Sequence, residues 1–321
     1  MKNGTTEPSP GSFDLQRISC DRRRGYGAYF HKKVRNCRKI KGANNLIGYQ
    51  DDIGEEAVLY SIVFSDIDGT LLNSGHVVTP KTKESIHSVM DKGMSFAVVS
   101  ARSPSGIYPI LRKNDFRCPV IAYSGALILD KDGSVLYEKG MPCERAGEVI
   151  SYIEEQEMPM AWCVYSYDDW MVKDRSDQRV GNEERIVEAC AREGTVDSLS
   201  EKGDPVHKIL CICDEGEILG IEERLRANFG DLNIVKSSDI LLEIMHKDVN
   251  KATAVKLLCE YLGCDIGDSI AFGDNYNDVE MLEAAGMGVV MGNAPADIRD
   301  RFETVTSDND NDGIAEILNK I

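Results

Sequence analysis

Nowhere among the 321 residues is there an apolar run approaching the ~20 positions needed to span a bilayer, which excludes a helical membrane protein. The first eleven residues lack an apolar core, so no secretory signal is visible. The ten cysteines lack the paired spacing of a metal site. Cys211 and Cys213 lie two apart in the apolar run Ile209 to Cys213, where a strand puts both on one face. They read as buried free thiols, and cysteines this unpatterned suit a reducing cytoplasm. Positive charge is scarce: 37 Lys and Arg face 54 Asp and Glu, a formal net charge of −17. A body this acidic repels nucleic acid and anionic membranes, so neither is an expected partner.

What positive charge there is clusters at one end. Residues 1–57 hold 11 Lys/Arg against 7 Asp/Glu, whereas the remainder is 21 charges negative. This segment carries Arg22-Arg23-Arg24, a second basic cluster from Lys32 to Lys41, and no sustained apolar period. It reads as a disordered or non-native extension in preference to a basic arm for nucleic acid. Because the patterned sequence begins at Val58, and valine codons can start bacterial translation, residues 1–57 are also read as an upstream region outside the natural protein.

From Val58 onward strands and helices alternate. Tyr60 to Phe64, Ser95 to Val99 and Pro119 to Tyr123 are apolar, β-rich runs, separated by helical spacing over Thr79 to Lys92 and around Ile107 to Asn114. The same alternation returns at Asn250, with a helix from Lys251 to Leu262, a strand at Ser269 to Phe272, and further pairs to the C-terminus. Between them lies a different pattern: a hairpin through Leu127 to Tyr137, then helices near Glu144 to Gln156, Glu183 to Arg192 and Glu217 to Asn228, with strands near Ala161 to Val172, Lys208 to Cys213, Asn233 to Lys236 and Ile240 to Met245. The expected fold is therefore α/β. Residues 58–126 and 246–321 form a doubly wound, parallel-sheet, Rossmann-like core, and 127–245 form an inserted α+β domain.

Chemistry-bearing residues collect at the expected strand ends, where a doubly wound sheet places its crevice. Phe64-Ser65-Asp66-Ile67-Asp68-Gly69-Thr70 ends the first strand with two carboxylates one residue apart. One suits nucleophilic attack and the other proton transfer, while Gly69 permits a turn that aims backbone N–H groups at a phosphate. Ser100-Ala101-Arg102 supplies a hydroxyl donor at the second strand's end. Lys251 opens a helix, where its ammonium and the helix N-terminus both favour an anion. Gly273-Asp274-Asn275-Tyr276-Asn277-Asp278 ends another strand with two carboxylates four residues apart. Asp66 and Asp274, with the backbone carbonyl of Asp68, suit Mg2+. Asp308-Asn309-Asp310-Asn311-Asp312-Gly313 matches half of a calcium loop, but its twelfth position is Asn319 and no helix precedes it; it reads as a polar turn.

These motifs, in this order, resemble those of the haloacid dehalogenase-like (HAD) superfamily, and the chain from Val58 to Ile321 looks like a Cof-type, subclass IIB phosphatase. The resemblance implies Asp66 as nucleophile, Asp68 as general acid/base and Lys251 as the lysine of the third motif. It implies Ser100, Arg102, Gly69 and Asn277 as phosphate or substrate contacts, Asp274 as the metal-binding aspartate of the fourth motif, and Asp278 as its support. The insertion corresponds to the cap that selects substrate. Three positions depart from the family pattern: Ser100-Ala101-Arg102 for Thr-Gly-Arg, Ser124-Gly125-Ala126 for Asn-Gly-Ala, and Asn250-Lys251-Ala252 for Ser-Lys-Gly.

The implied function is Mg2+-dependent hydrolysis of small phosphorylated metabolites, sugar phosphates foremost, through an aspartyl-phosphate. A phosphomutase and a non-catalytic phosphate-ligand sensor are the alternatives. The cap aromatics Trp162, Tyr165, Tyr167 and Trp170, with Lys173, are candidates to line the pocket, although aromatic strand residues more often serve a core.

Overall fold

The computed structural model describes residues 60–187 and 189–321; the expectations for residues 1–57 and for a start at Val58 lie outside the described residues. The chain forms β1 (Ile62–Ser65), α1 (Pro80–Asp91), β2 (Ser95–Val99), α2 (Pro104–Asn114), β3 (Val120–Ala122), β4 (Leu127–Leu129) and β5 (Val135–Glu138). The inserted segment adds α3 (Cys143–Glu155), β6 (Met160–Ser166), β7 (Asp169–Val172), α4 (Gln178–Val187), β8 (Arg192–Glu193), α5 (Asp197–Ser200), β9 (Lys208–Cys213), α6 (Ile218–Asn228), β10 (Leu232–Lys236) and β11 (Leu241–His246). The core resumes with α7 (Lys251–Leu262), β12 (Ser269–Gly273), α8 (Val279–Ala284), β13 (Met287–Val290), α9 (Ala296–Arg299), β14 (Thr304–Val305) and α10 (Gly313–Leu318).

Two sheets result. The larger runs β14-β13-β12-β1-β2-β3-β4-β5, parallel from β14 to β3. Its central strands are apolar on both faces because helices cover both. Ile86 and Val89 of α1, Ile107 of α2 and Ile314 of α10 pack with Val63, Val98 and Phe272 on one face. Val255 and Leu258 of α7 and Leu282 of α8 pack with Ile62, Phe64 and Ala271 on the other. The chain runs outward in opposite directions from neighbours β1 and β12, so their carboxyl ends form the sheet's switch point.

The hairpin expected to open the inserted domain belongs to the core instead. β4 pairs antiparallel with β3 and β5 with β4, extending the large sheet by two strands. Spacing reveals a hairpin but not which sheet edge it joins. A second difference is α4, which runs from Gln178 and ends at Val187, with Arg192 and Glu193 pairing as a strand beside β7.

The smaller sheet, β10-β11-β9-β6-β7-β8, is the cap sheet. One face packs on α3 and α6 through Trp162, Ile209, Cys211, Cys213 and Ile244. The opposite face presents Cys163, Tyr165, Leu210 and Met245 to the cluster that also holds core residues. Cys211 and Cys213 are buried free thiols on one face, as their spacing predicts. Trp162 turns away from the core into the cap interior and donates its indole N–H to Glu154. Lys173 also pairs with Glu154, at 3.0 Å. Tyr165 and Trp170 stack, ring centroids 5.5 Å apart, on the core-facing side.

Where cap meets core, His207 stacks on Tyr123 at 5.6 Å and its Nδ1 accepts the Tyr167 N–H at 3.1 Å. The Tyr123 hydroxyl donates to the Tyr167 carbonyl at 2.5 Å. His207 is fully buried, and burial lowers its pKa from 6.5 to about 4. A depressed histidine pKa gives stability that is present above the unfolded value and lost as the pH falls from about 6.5 to about 4. The loss amounts to about 3 kcal/mol. His207→Phe removes this titration, so the stability difference between wild type and variant, measured by urea unfolding, should shift by about 3 kcal/mol in the variant's favour between pH 7 and pH 4. A pH-independent difference would contradict a neutral, buried His207.

Candidate active site

The ends of β1 and β12 and the start of α7 converge on one buried ammonium. Lys251, 2% exposed, donates at 2.6 Å to Asp66 Oδ1 and at 2.6 Å to Asp278 Oδ1. It is the first residue of α7, whose N-cap Asn250 accepts the Thr253 N–H at 2.7 Å. Asparagine thus performs the capping for which serine is common at this position. Asp66 follows β1 directly, and its N–H donates to the Phe272 carbonyl of β12 at 3.0 Å. Asp278 accepts the N–H groups of Asp274 and Asn275 on Oδ2, at 3.1 and 3.0 Å. Both its oxygens are therefore occupied, and its place in the arrangement is to hold Lys251 and shape the loop.

The carboxylates are crowded. Ligand atoms of Asp66, Asp274 and Asp278 lie within 4.8 Å of one another. Burial, then Asp278, Asp274 and Asp68, push Asp66 well above the usual carboxylate range, with Lys251 opposing. Burial opposes the charge on Lys251, yet Asp278 and Asp66 outweigh it and raise its pKa. Burial pushes Asp274 up to about 6, against a hydrogen bond from Thr70 and with Asp278 adding to the rise. Two desolvated carboxylates, Asp66 with one oxygen unbonded and Asp274 held only by the neutral donors Thr70 and Asn293, make a hard-oxygen donor set that fits Mg2+. The ligand expected from Asp68 is its backbone carbonyl; its side chain is not in this carboxylate cluster.

Gly69 adopts φ +81°, and a Cβ there would lie 2.3 Å from Asp274 Oδ2. The glycine of the first motif therefore serves both the left-handed turn and the space beside the fourth motif. Ser100, 1% exposed, closes β2, and its Oγ accepts the Arg102 N–H at 3.2 Å. Asn277 lines a cleft of about 350 Å³ together with Lys251, Ser124 and Glu243. A larger hollow along the exposed face of α1 contains none of these groups.

The guanidinium of Arg102, the residue expected at phosphate or substrate, makes a two-pronged pair with Asp68, at 2.8 and 2.6 Å. Nothing in the one-dimensional spacing of Asp68 and Arg102 signals this pairing. Two other residues went unnoticed in the sequence. Thr70 Oγ1 donates to Asp274 Oδ1 at 2.7 Å, and Asn293 donates to the Gly69 carbonyl at 2.8 Å. Thr70 follows the first motif directly, and Asn293 sits just beyond β13, so strand-end placement is the signal that could have found them. The acidic turn at Asp308 to Gly313 is a polar clasp, as read: Asp310 accepts the Ser74 N–H at 2.8 Å and Asn309 donates to the Leu72 carbonyl at 2.8 Å.

The haloacid dehalogenase-like hydrolase model matches residues 63–318. The chain belongs to this family. A Haemophilus influenzae protein with a provisional phosphatase name is 35% identical over 261 residues, covering 81% of this chain and 98% of that protein. The crystal structure of a haloacid dehalogenase-like hydrolase from Bacteroides thetaiotaomicron is similar with TM-score 0.74 and 27% identity, covering 81% of this chain and 99% of the other. A HAD subclass IIB sugar phosphatase, 21% identical with TM-score 0.71 over 81% and 98% of the two chains, shares the fold. The four motif positions thus stand within a matched family span.

Removing one partner of a buried ion pair strands the other charge. Asp278→Ala should lower stability by about 3–5 kcal/mol in urea unfolding, with Asp278→Asn losing less because it keeps an acceptor for the loop N–H groups. A change under about 1 kcal/mol for the alanine variant would show that Lys251 does not depend on Asp278.

Proposed function

We propose that this HAD-family phosphatase is Mg2+-dependent and moves the phosphoryl group of a small phosphorylated metabolite to Asp66 and then to water, with sugar phosphates the favoured substrates. The observation that carries the reading is Asp66 itself. It is a carboxylate at the sheet's switch point, held 2.6 Å from a buried ammonium, with a second carboxylate two residues on. The free thiols among the described cysteines accord with a cytoplasmic setting, and among the described residues no helix is long and apolar enough to cross a membrane.

In this scheme Lys251 keeps Asp66 oriented and offsets its charge, so that the other carboxylate oxygen can approach phosphorus in line. A new O–P bond forms as the ester O–P bond breaks, and Asp68 gives its proton to the departing alcohol oxygen. Asp68, now ionised, takes a proton from water, whose oxygen attacks phosphorus. The Asp66 O–P bond then breaks, returning the free carboxylate and inorganic phosphate. Ser100 donates its hydroxyl hydrogen, and Asn277 its amide, to phosphoryl oxygens, while Gly69 keeps the loop clear of Asp274. Asp66, Asp274 and the Asp68 carbonyl would hold Mg2+, which when bound supplies positive charge against the phosphoryl oxygens and the crowded carboxylates. Arg102 steers Asp68 and Asp278 supports Lys251.

The test is phosphate release from a panel of phosphorylated metabolites, with Mg2+ or with EDTA. Asp66→Asn should reduce turnover by roughly a thousandfold or more while the variant still folds cooperatively, with a lower unfolding midpoint because Lys251 loses one of its two carboxylates. Substantial release by the variant would remove Asp66 as nucleophile.

A pH dependence follows from Asp274. Its pKa in the metal-free protein lies above the unfolded value, so its ionisation weakens the fold as the pH rises from about 4 to about 6. A cation needs the ionised form, and below about pH 6 protons compete with it. The Mg2+ concentration for half-maximal thermal stabilisation should rise roughly tenfold per unit below pH 6. A flat profile from pH 7 to 5 would exclude Asp274 as a ligand.

A further inference from the structure

Beside the proposed general acid lies a second group of charges that the hydrolytic scheme leaves unused. β9 and β11 are neighbours in the cap sheet, and they put Lys208 and Glu243 on its core-facing side. Both side chains are 7% exposed, with Nζ to Oε1 at 3.4 Å. Lys208 also crosses to the core, donating at 2.6 Å to the carbonyl of Ala101, the residue before Arg102. Its ammonium sits over the rings of Tyr165 and Tyr123, at 5.3 and 5.9 Å. Half-buried Glu183 of α4 completes the group: burial pushes its carboxyl up, while it feels Lys208, Arg102, Glu243 and Asp68. A line of charge therefore leads from Asp68 through Arg102 to Lys208 and Glu243.

The rest of that face is apolar, through Cys163, Leu210, Ile212 and Met245. A buried Lys–Glu pair is seldom more stable than a well-packed apolar pair in its place, so fold stability alone gives little reason for one. Only Oε1 of Glu243 has a hydrogen-bond partner among the described residues. Glu243 also lines the 350 Å³ cleft with Lys251, Ser124 and Asn233. A carboxylate oxygen lining this cleft can accept hydroxyl hydrogens. The leaving alcohol's oxygen takes its proton from Asp68, and Arg102 on Asp68 adjoins Ala101, whose carbonyl holds Lys208, so this cluster lies on the leaving-group side.

We infer that Glu243, oriented by Lys208, is the specificity-determining residue of this phosphatase, accepting hydrogen bonds from hydroxyls of the leaving alcohol. Substrates with a polyhydroxylated leaving group are favoured over those whose leaving group lacks hydroxyls. Lys208 acts as a positioning residue. The inference rests on the phosphatase reading above.

The test compares glucose 6-phosphate, its monodeoxy analogues and p-nitrophenyl phosphate, all with Mg2+, using wild type and Glu243→Gln. Wild type should hydrolyse glucose 6-phosphate with a higher kcat/KM than at least one deoxy analogue, by tenfold or more. Glu243→Gln should lower kcat/KM for the sugar phosphate at least tenfold, mainly through KM, and leave p-nitrophenyl phosphate within about threefold. Lys208→Met should reproduce the KM effect in weaker form. Equal losses on both substrates, or none, would overturn the role of Glu243. Were Glu243→Gln not to fold, the deoxy series on wild type decides alone, and absence of discrimination overturns the inference. Hydrolysis of p-nitrophenyl phosphate without preference for the sugar phosphate sinks this inference only. Failure to hydrolyse even p-nitrophenyl phosphate sinks the phosphatase reading and this inference with it.

Discussion

The ammonium of Lys251 is the contact on which the remaining architecture depends. Taking a lysine almost wholly out of water costs several kcal/mol, and only two carboxylates at 2.6 Å make that tenable. Those partners come from separate parts of the chain, Asp66 lying 185 positions before Lys251 and Asp278 lying 27 after it. Each is fixed in turn by backbone: Asp66 by the strand pairing of β1 with β12, Asp278 by two N–H groups of its own loop. One lysine nevertheless leaves the site with surplus negative charge, since Asp274 lies close to Asp66 and Asp278. A site meant for a phosphate ester cannot work while it repels one, which is the electrostatic argument for a cation here.

The cap sheet divides its labour between its two faces. The face against α3 and α6 is an ordinary core, and it absorbs Trp162 and both close-spaced cysteines. The other face meets the catalytic domain through an aromatic seam of Tyr123, Tyr165, Tyr167 and His207. Into that seam come Lys208 and Glu243, polar groups in apolar surroundings. Strand alternation thus decides which cap residues face the core and which pack inside the cap.

Much of this was legible beforehand. Ser95 to Val99, Lys208 to Cys213 and Lys251 to Leu262 begin and end where apolar period and flanking residues predict. Asp66, Asp274, Asp278 and Lys251 were legible because each sits at the end of a regular element, and doubly wound sheets gather those ends. What was hidden depends on contacts distant in sequence. β4 and β5 read as a hairpin, but their membership of the large sheet is set by β3 offering an open edge. Arg102 sits in a motif associated with phosphate, and its partner Asp68 lies 34 residues away. Tyr165 and Trp162 are three apart on one strand, so alternation puts them on opposite faces, but only the fold shows which face meets the core. Lys208 and Glu243 look like any surface pair until β9 and β11 are laid side by side.

The two passages between core and cap lie against each other. Lys139, just after β5, forms an ion pair at 3.7 Å with Asp248, just after β11. Farther in, Gly125 adopts φ +110°, and a Cβ there would come within 2.6 Å of the Asn250 carbonyl. An insertion whose entry and exit coincide asks nothing of its host beyond one small gap in the covalent chain. The catalytic half can accordingly keep its charges fixed while the inserted half is rebuilt, lengthened or exchanged, and this junction is where a new recognition domain would be spliced in.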